Sequence, residues 1–518
     1  MAGGLAIVDY LRSDQRSSIV PFGLHCILSE VRRRGFDAAL VNAPDDLHAA
    51  LRRWTARGRA PDDAELAALR RRPAMRAFLE ALAGAAPALV GFTAYESHLD
   101  TVELLLRLVR PAVDAYTIIG GPLPTALGAR ALDLVGADIA FLGEAERRLP
   151  DLLERLRVRR PSSHPPAAVA RGFEDAPWLA FRGERRPDGF HRVERLGDAE
   201  LAAFAPDWAW AIDHLDRTYD EYRDYPILSY ISSRGCPMGC VFCSSIMGKR
   251  FRALPPERVV QDLEAIRDIA RVRFRPREKF IVAFGDDNFL FDRDRALRIF
   301  RSIRRRGLDG FFRFTFQASV NTFFRDLRAE RLDDELMRNL ARLNVKYVTL
   351  GTDNFCDAEL RTLRKAPYTK RHIVALVEAF ERLGTHNNHY CILSNLHTRP
   401  EHIVENLETI RGLDRRFRRF IQLRPIMHLT PYYGTPAWRE AVADPRARRR
   451  MEPYPTLFRR PPRDVRLGKR LLPLDARARR MVDALDRDVP TRRVKSVPYY
   501  YDLDAACALA ARLASAPA

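Results

Sequence analysis

At 518 residues, with 47% hydrophobic and 30% charged side chains, the chain has the proportions of a globular protein and the length for two or three domains. No run of about 18 uncharged apolar residues occurs, and the opening stretch lacks the basic region and apolar core of a signal peptide, which argues against a membrane span and a secretory leader. The net charge of +20 comes largely from arginine clusters at 301–306, 415–419 and 446–450 and at Arg459, Arg460 and Arg463; with no interleaved aromatic platform these read as solvated helix faces rather than a nucleic-acid surface, and an anionic small substrate or partner stays open.

Residues 4–9 predict a strand, 19–34 a helix stopped by Gly35, and 38–41 a second strand. Helices are expected over 47–56 and 64–83, a buried strand over 88–92 and a helix over 98–109. A strand over 116–120 ends in Gly120-Gly121-Pro122, a helix follows over 125–134, and a strand over 137–142 ends in Gly143-Glu144. This alternation predicts a doubly wound α/β domain over 1–157, with glycines at strand ends where such sheets take ligands. No G-x-G-x-x-G occurs, so a nicotinamide or flavin dinucleotide site is poorly supported.

Residues 158–225 read as a connector broken by Pro161, Pro165 and Pro166, with Trp208, Trp210, Tyr219, Tyr222 and Tyr225 expected to pack between domains. From 226 the alternation resumes. Strands are expected over 226–232, 280–284, 312–317, 347–350, 389–393 and 420–427, with helices over 257–269, 293–305, 333–343, 370–383 and 400–412 between them. Six such units over 226–436 suit a partial (β/α)6 barrel, whose reactive groups gather at the carboxyl ends of the strands. Residues 437–518 form a basic, mainly helical extension in which 499–501, three tyrosines, cap the barrel mouth or simply pack.

The first barrel strand leads into Ser233-Arg234-Gly235-Cys236-Pro237-Met238-Gly239-Cys240-Val241-Phe242-Cys243. Its C-x3-C-x2-C spacing lets three thiolates reach one metal centre, and thiolates select zinc, copper or iron–sulfur. Structural zinc takes four ligands, and no second Cys or His pair follows nearby. A centre left with an open position is reactive rather than a staple. The other four cysteines, Cys26, Cys356, Cys391 and Cys507, are scattered, as in a reduced compartment, so a cytoplasmic location is expected.

The cysteine run resembles the signature of the radical S-adenosylmethionine (radical SAM) superfamily, Phe242 included. The resemblance implies a [4Fe-4S] cluster on Cys236, Cys240 and Cys243, with SAM chelating the fourth iron. Phe284-Gly285-Asp286-Asp287-Asn288 is similar to the family stretch that grips the SAM amino group, which makes Gly285, Asp286 and Asp287 candidates; an ammonium needs such acceptors. Gln317 and Ser319 are candidates for ribose or the SAM carboxylate. Gly351-Thr352-Asp353-Asn354 resembles a family stretch that more often carries Glu where this chain has Asp353, and Lys365 follows at a familiar spacing. Asn395 is a candidate adenine contact, although Ser394-Asn395-Leu396-His397 departs from the frequent glycine-rich turn. The stretch 430–436 resembles a P-G-T-P element.

The N-terminal pattern looks like the cobalamin-binding Rossmann domain that precedes the barrel in one radical SAM subfamily. The matching pieces supply Gly23, Thr93, Gly120, Gly121, Pro122, Gly143 and Glu144, and glycines there let backbone approach a flat macrocycle. The D-x-H-x-x-G motif that ligates cobalt elsewhere is absent, and His25 and His98 read as packed or surface histidines, so the lower cobalt face has no assigned ligand.

The resemblance therefore implies a cobalamin-dependent radical SAM enzyme. An electron from a flavodoxin- or ferredoxin-type donor cleaves SAM to a 5′-deoxyadenosyl radical, which abstracts hydrogen from an unactivated carbon. Methyl transfer from methylcobalamin to carbon or phosphorus of a small molecule or peptide of secondary metabolism follows. A cyclisation or rearrangement with the same cofactors is the alternative. A tRNA methylthiotransferase is disfavoured because only Cys26 precedes the motif, and an iron–sulfur RNA-binding scaffold is the non-enzymatic alternative.

Overall fold

The computed structural model describes residues 4–10, 21–57, 60–156, 159–183, 193, 195–215, 226–244, 247–274, 280–365, 367–417, 419, 421–445, 448, 474–494 and 497–515. Of these, the residues up to 215 form one compact unit and those from 226 onward a second.

The first unit is built on a sheet of order β2-β1-β3-β4-β5-β6, where β1 is Leu5–Asp9, β2 Ala38–Asn42, β3 Leu89–Thr93, β4 Tyr116–Gly120, β5 Ile139–Phe141 and β6 Leu179–Phe181. The first five strands are parallel, with Leu5 opposite Leu89 and Thr93 opposite Gly120. Both faces are covered, so β1, β3 and β4 are apolar runs instead of alternating patterns. On one face Leu5, Ile7, Tyr116 and Ile118 pack with Leu24, Leu28 and Val31 of the helix Phe22–Arg33.

Three expectations change here. The helix expected over 64–83 is two, Asp63–Arg70 and Pro73–Gly84, because Pro73 lacks an N–H and cannot continue the preceding turns. The helix expected over 125–134 is likewise two, Pro122–Leu127 and Arg130–Val135, parted at Gly128 with φ 59°. The stretch expected to be a connector supplies β6, antiparallel to β5, and two of its aromatics pack on the helix Phe22–Arg33 of the first unit. Trp208 and Trp210 lie 5.3 and 5.7 Å from the ring of His25, and Trp208 stacks on Phe22. Tyr219, Tyr222 and Tyr225 lie outside the described residues.

The second unit carries a parallel sheet of order β16-β15-β14-β11-β10-β7: β7 is Ile227–Tyr230, β10 Phe280–Phe284, β11 Phe312–Ala318, β14 Val345–Asp353, β15 Asn387–Ser394 and β16 Ile421–His428. Two short strands, β8 (Ser233–Arg234) and β9 (Arg252–Ala253), pair after β7, and β12 (Phe324–Asp326) pairs with β13 (Arg331–Leu332) after β11. Phenylalanines from adjacent strands and helices, among them Phe284, Phe289, Phe300 and Phe316, fill the interior. The six strands and their helices thus reproduce the expected (β/α)6 order.

The C-terminal extension is mainly helical, as expected, with one hairpin in it. Helices Ala476–Asp488 and Leu503–Ser515 flank a hairpin of β17 (Thr491–Val494) and β18 (Val497–Tyr501). Tyr501 is buried and donates to Asp486, so this tyrosine packs; the side chains of Tyr499 and Tyr500 lie outside the described set. Arg459, Arg460, Arg463 and most of the 446–450 cluster also lie outside it. In the other clusters Arg301 pairs with Glu335, Arg306 with Glu264 and Arg416 with Glu378. No helix among the described residues is long and apolar enough to cross a membrane.

Candidate active site at the strand ends

The cysteine loop leaves the sheet at the carboxyl end of β7 and is closed at its base by the β8–β9 pair, Ser233 opposite Ala253 and Arg234 opposite Arg252. Gly235 turns the chain out of β8 with φ +87° and donates its N–H to Asp287 Oδ2 at 2.8 Å. Cys236 N–H donates to Gly248 O, Val241 N–H to Leu363 O, and Ala437 N–H to Val241 O, so the loop is tied to elements far along the chain. The last bond attaches it to the first turn of the helix Pro436–Ala441, which the Thr435 hydroxyl caps at Trp438 N. Cys240 is buried, Cys236 half-buried and Cys243 exposed. Among the described residues, no three His, Cys, Asp or Glu side chains are closed into a metal cage.

The donor set nevertheless fits a thiolate-held cluster. Burial first, and then Asp287, Cys240 and Cys243, push the Cys236 thiol up; burial likewise raises Cys240, opposed by Lys365. The thiols thus feel one another's charge, a repulsion that a cationic metal centre relieves by taking the thiolates as ligands.

At the end of β10 the two neighbouring aspartates do different things. Asp286 is fully buried, and both its oxygens are taken, by Ser232 N and Ser232 Oγ at 2.7 Å and Ser233 Oγ at 2.5 Å. Arg295, also buried, donates to Ser232 O at 2.8 Å and Leu254 O at 2.9 Å. Burial raises the Asp286 carboxyl, against the pull of Arg295 and the serine donors. Asp286 therefore anchors the root of the cysteine loop. Asp287 is exposed at the strand end beside Gly285, and its carbonyl accepts from Gln317 Nε2 at 3.4 Å. Ser319 N–H donates to Asn288 Oδ1 at 3.2 Å, which brings the ends of β10 and β11 together.

At the end of β14, Asp353 is held at φ +62°, a strained value for a non-glycine residue, and is ion-paired with Lys365. Lys365 also donates to Gly351 O at 3.2 Å and stands 5.5 Å over the ring of Phe242. Tyr368 donates to Gly351 O at 3.0 Å. Asn395, at the end of β15, is buried and spent on the loop itself: Nδ2 donates to Glu359 Oε2 at 2.6 Å and Thr362 Oγ1 at 3.1 Å, and Oδ1 accepts from His397 N. Both amide atoms are thus engaged within the chain.

In the first unit, Thr93, Gly120, Gly121, Pro122, Gly143 and Glu144 gather at the carboxyl ends of β3, β4 and β5. Thr125 Oγ1 donates to Gly121 O at 2.7 Å and accepts from Gly143 N at 3.1 Å, joining two of these turns. Gly121 has φ +93°, and a Cβ there would meet Thr93 Cγ2 at 3.1 Å. Gly120 and Gly23 are different, since no atom lies within 4 Å of where a Cβ would stand and neither has a positive φ. These open glycines fit a cradle for a flat ring. Glu144 is buried and accepts from Leu196 N at 2.6 Å, which makes it a tether. His25 is buried among aromatics with Nε2 2.9 Å from Asp207 O, as expected of a packed histidine.

Sequence reasoning missed Ser232, Ser233, Arg295, Glu359 and Tyr368, which support the site through long-range bonds that no local spacing announces. A cleft of about 580 Å³ lies among Glu257, Arg298, Arg301, Ser302, Arg304 and Arg305, and none of the expected site residues lines it.

Fold and site together define a two-unit α/β protein: a doubly wound domain, then a partial β/α barrel with a three-cysteine loop on its first strand. Residues 18–153 match the B12 binding domain and residues 230–410 match the Radical SAM superfamily. The chain carries a B12-binding domain followed by a radical SAM domain.

It is 27% identical over 229 residues to an uncharacterized methyltransferase of Pyrococcus horikoshii, covering 43% of this chain and 44% of that protein. It is 24% identical over 430 residues to the hopanoid C-3 methylase of Methylococcus capsulatus, covering 81% of this chain and 68% of that one. The chain thus spans less than half the length of the first relative. Among solved structures, the radical SAM methyltransferase TsrM of Kitasatospora setae, with cobalamin and a [4Fe-4S] cluster bound, aligns with TM-score 0.57 at 16% identity over 86% of this chain and 78% of that chain. The cobalamin-dependent SAM radical enzyme OxsB, with aqua-cobalamin and SAM bound, aligns with TM-score 0.60 at 12% identity over 88% and 63%. At such identities the likeness is one of fold.

Proposed function

We propose that the protein is a cobalamin-dependent radical SAM methyltransferase acting on a small molecule or peptide. The observation that carries this reading is the cysteine loop, rooted at the carboxyl end of the first barrel strand, in a chain that also holds a B12-binding domain. When bound, the cluster with SAM supplies hydrogen-abstracting radical chemistry and cobalamin supplies the methyl group, so the protein's task is to hold, orient and exclude water.

In this reading Cys236, Cys240 and Cys243 hold three irons and leave the fourth to the amino and carboxylate groups of SAM. Asp287, exposed beside Gly285, is the carboxylate for the amino group; Gln317 and Ser319 serve its ribose and carboxylate side. Asp286 acts one layer back, fixing Ser232 and Ser233. Asn395, with both amide atoms engaged, holds the β15 turn in place of touching adenine. Gly23 and Gly120 leave room for the corrin ring, while Gly121, Pro122 and Gly143 shape the turn and Thr93 and Glu144 fix it. Electrons come from an external carrier of flavodoxin or ferredoxin type.

The test is a triple variant, Cys236→Ala, Cys240→Ala and Cys243→Ala, reconstituted anaerobically. Loss of iron and of SAM cleavage is expected, and cleavage that persists overturns the reading. Protein supplied with cobalamin should show corrinoid absorption as well as iron–sulfur bands; iron–sulfur bands alone overturn the cobalamin half. A product heavier than substrate by one CH2 marks methyl transfer, and one of other mass marks a cyclisation or rearrangement.

A further inference from the structure

We infer that Lys365 is a positioning residue that places a buried positive charge beside the Cys240 corner of the cysteine loop and thereby raises the reduction potential of the cluster held there. The inference rests on the proposed role of Cys236, Cys240 and Cys243 as cluster ligands.

The placement is built from several directions. Lys365 follows the helix Asp357–Thr362, and its side chain is only 10% exposed. Its ammonium, with three donors and no acceptor, is shared between the carboxylate of Asp353 and the carbonyl of Gly351 at 3.2 Å, and its charge acts on Cys240. The ring of Phe242, between the second and third cysteines, faces it at 5.5 Å. A Cβ on Gly351 would lie 3.4 Å from the ammonium nitrogen, so the lysine packs directly against this strand end. The strained backbone of Asp353 persists because the pair over-determines it.

A flexible lysine on a surface would contribute little to a neighbouring centre, since water and ions screen it. Here the charge sits where screening is weak, 5.5 Å over a ring that lies between two of the cysteines. One-electron reduction adds negative charge to the cluster, and nearby charge and hydrogen bonds to the sulfurs are what set such potentials. Lys365 favours the reduced form and Asp353 opposes it. Removing either one shifts the couple in opposite directions, which a purely structural role does not produce.

The experiment uses the full chain, reconstituted anaerobically, with the potential read by dithionite titration and electron paramagnetic resonance. Lys365→Met removes the cation and leaves Asp353 unopposed, so the reduction equilibrium constant should fall at least tenfold, a shift of about 59 mV for one electron. Lys365→Arg should stay within twofold of the wild type. Asp353→Asn should move the constant several-fold the other way, and this arm decides the matter if Lys365→Met takes up no iron. The combined Asp353→Asn, Lys365→Met variant should return most of the way. Equal potentials in variants with full iron content overturn the inference. A wild-type chain that takes up no iron overturns the cluster assignment, and this inference with it, a result distinct from a cluster whose potential ignores residues 353 and 365.

Discussion

A Cβ atom on Gly235 would stand 2.1 Å from the carbonyl oxygen of Arg250, and the backbone at Gly235 has φ +87°. Only glycine satisfies both conditions, because the first is a backbone clash and the second a left-handed conformation. The residue therefore couples the start of the cysteine loop to its return limb. Gly235→Ala should push the two limbs apart at the β8–β9 base, at a cost of about 1–3 kcal/mol for the backbone strain alone. We expect iron and sulfide content after reconstitution to fall several-fold while far-ultraviolet dichroism stays near that of the wild type; full iron content would refute the coupling.

Asp286 and Arg295 form the buried electrostatic anchor beneath that loop. In Asp286→Asn the amide NH2 faces donors at Ser232 and Ser233, and Arg295 loses its compensating charge. Leaving buried donors without an acceptor costs about 1–3 kcal/mol each. A lowered denaturant midpoint with an unchanged m-value is the expected result, and a shift worth under about 1 kcal/mol would show that the anchor is idle.

Gly120 and Gly121 are adjacent but predict opposite outcomes. Gly120 faces open space, so Gly120→Phe should leave the thermal midpoint of the cofactor-free protein nearly unchanged and abolish retention of added cobalamin on gel filtration. Gly121→Ala meets Thr93 at 3.1 Å in a positive-φ conformation and should destabilise the cofactor-free protein itself by about 1–3 kcal/mol. Equal cobalamin retention by Gly120→Phe and the wild type would remove Gly120 from the cradle.

His25 makes the first unit acid-sensitive. Burial lowers its pKa from 6.5 to about 4, opposed by the bond to Asp207 and helped by Arg32 and His214 nearby. The folded state thus holds the neutral ring, and the unfolded chain binds the proton first as pH falls. The stabilisation is complete above pH 6.5 and is lost on descent toward pH 4, about 2 kcal/mol of it by pH 5. His25→Gln, which keeps a donor for the Asp207 carbonyl, should flatten the fall in thermal midpoint between pH 7 and 5; an identical slope in both proteins would count against this account.

Much of this architecture is legible in local pattern. Phe280–Phe284, Arg293–Arg305 and Lys370–Leu383 appear where apolar period and flanking residues put them, because each is long, strongly patterned and flanked by breakers. The errors fall where a single residue interrupts a continuous pattern, as Pro73 and Gly128 do, and where a short strand borrows its partner from far away, as Leu179–Phe181 does from Ile139–Phe141.

The sequence by itself determined the donor chemistry: three thiols within eight residues, at the end of a predicted barrel strand, behind a glycine-ended doubly wound domain. Spacing along the chain limits which sulfurs can share a metal, so no further information was needed. Only the tertiary structure decided the division of labour between neighbours. Asp286 and Asp287 are neighbours in the turn after Phe280–Phe284, yet one is buried, its oxygens taken by Ser232 and Ser233, and the other is exposed. Asn395 and Lys365 likewise took their roles from Glu359 and from Asp353 with Gly351. Those contacts are made by residues brought together through folding, and their hydrogen-bond accounting does not exist until the chain has closed.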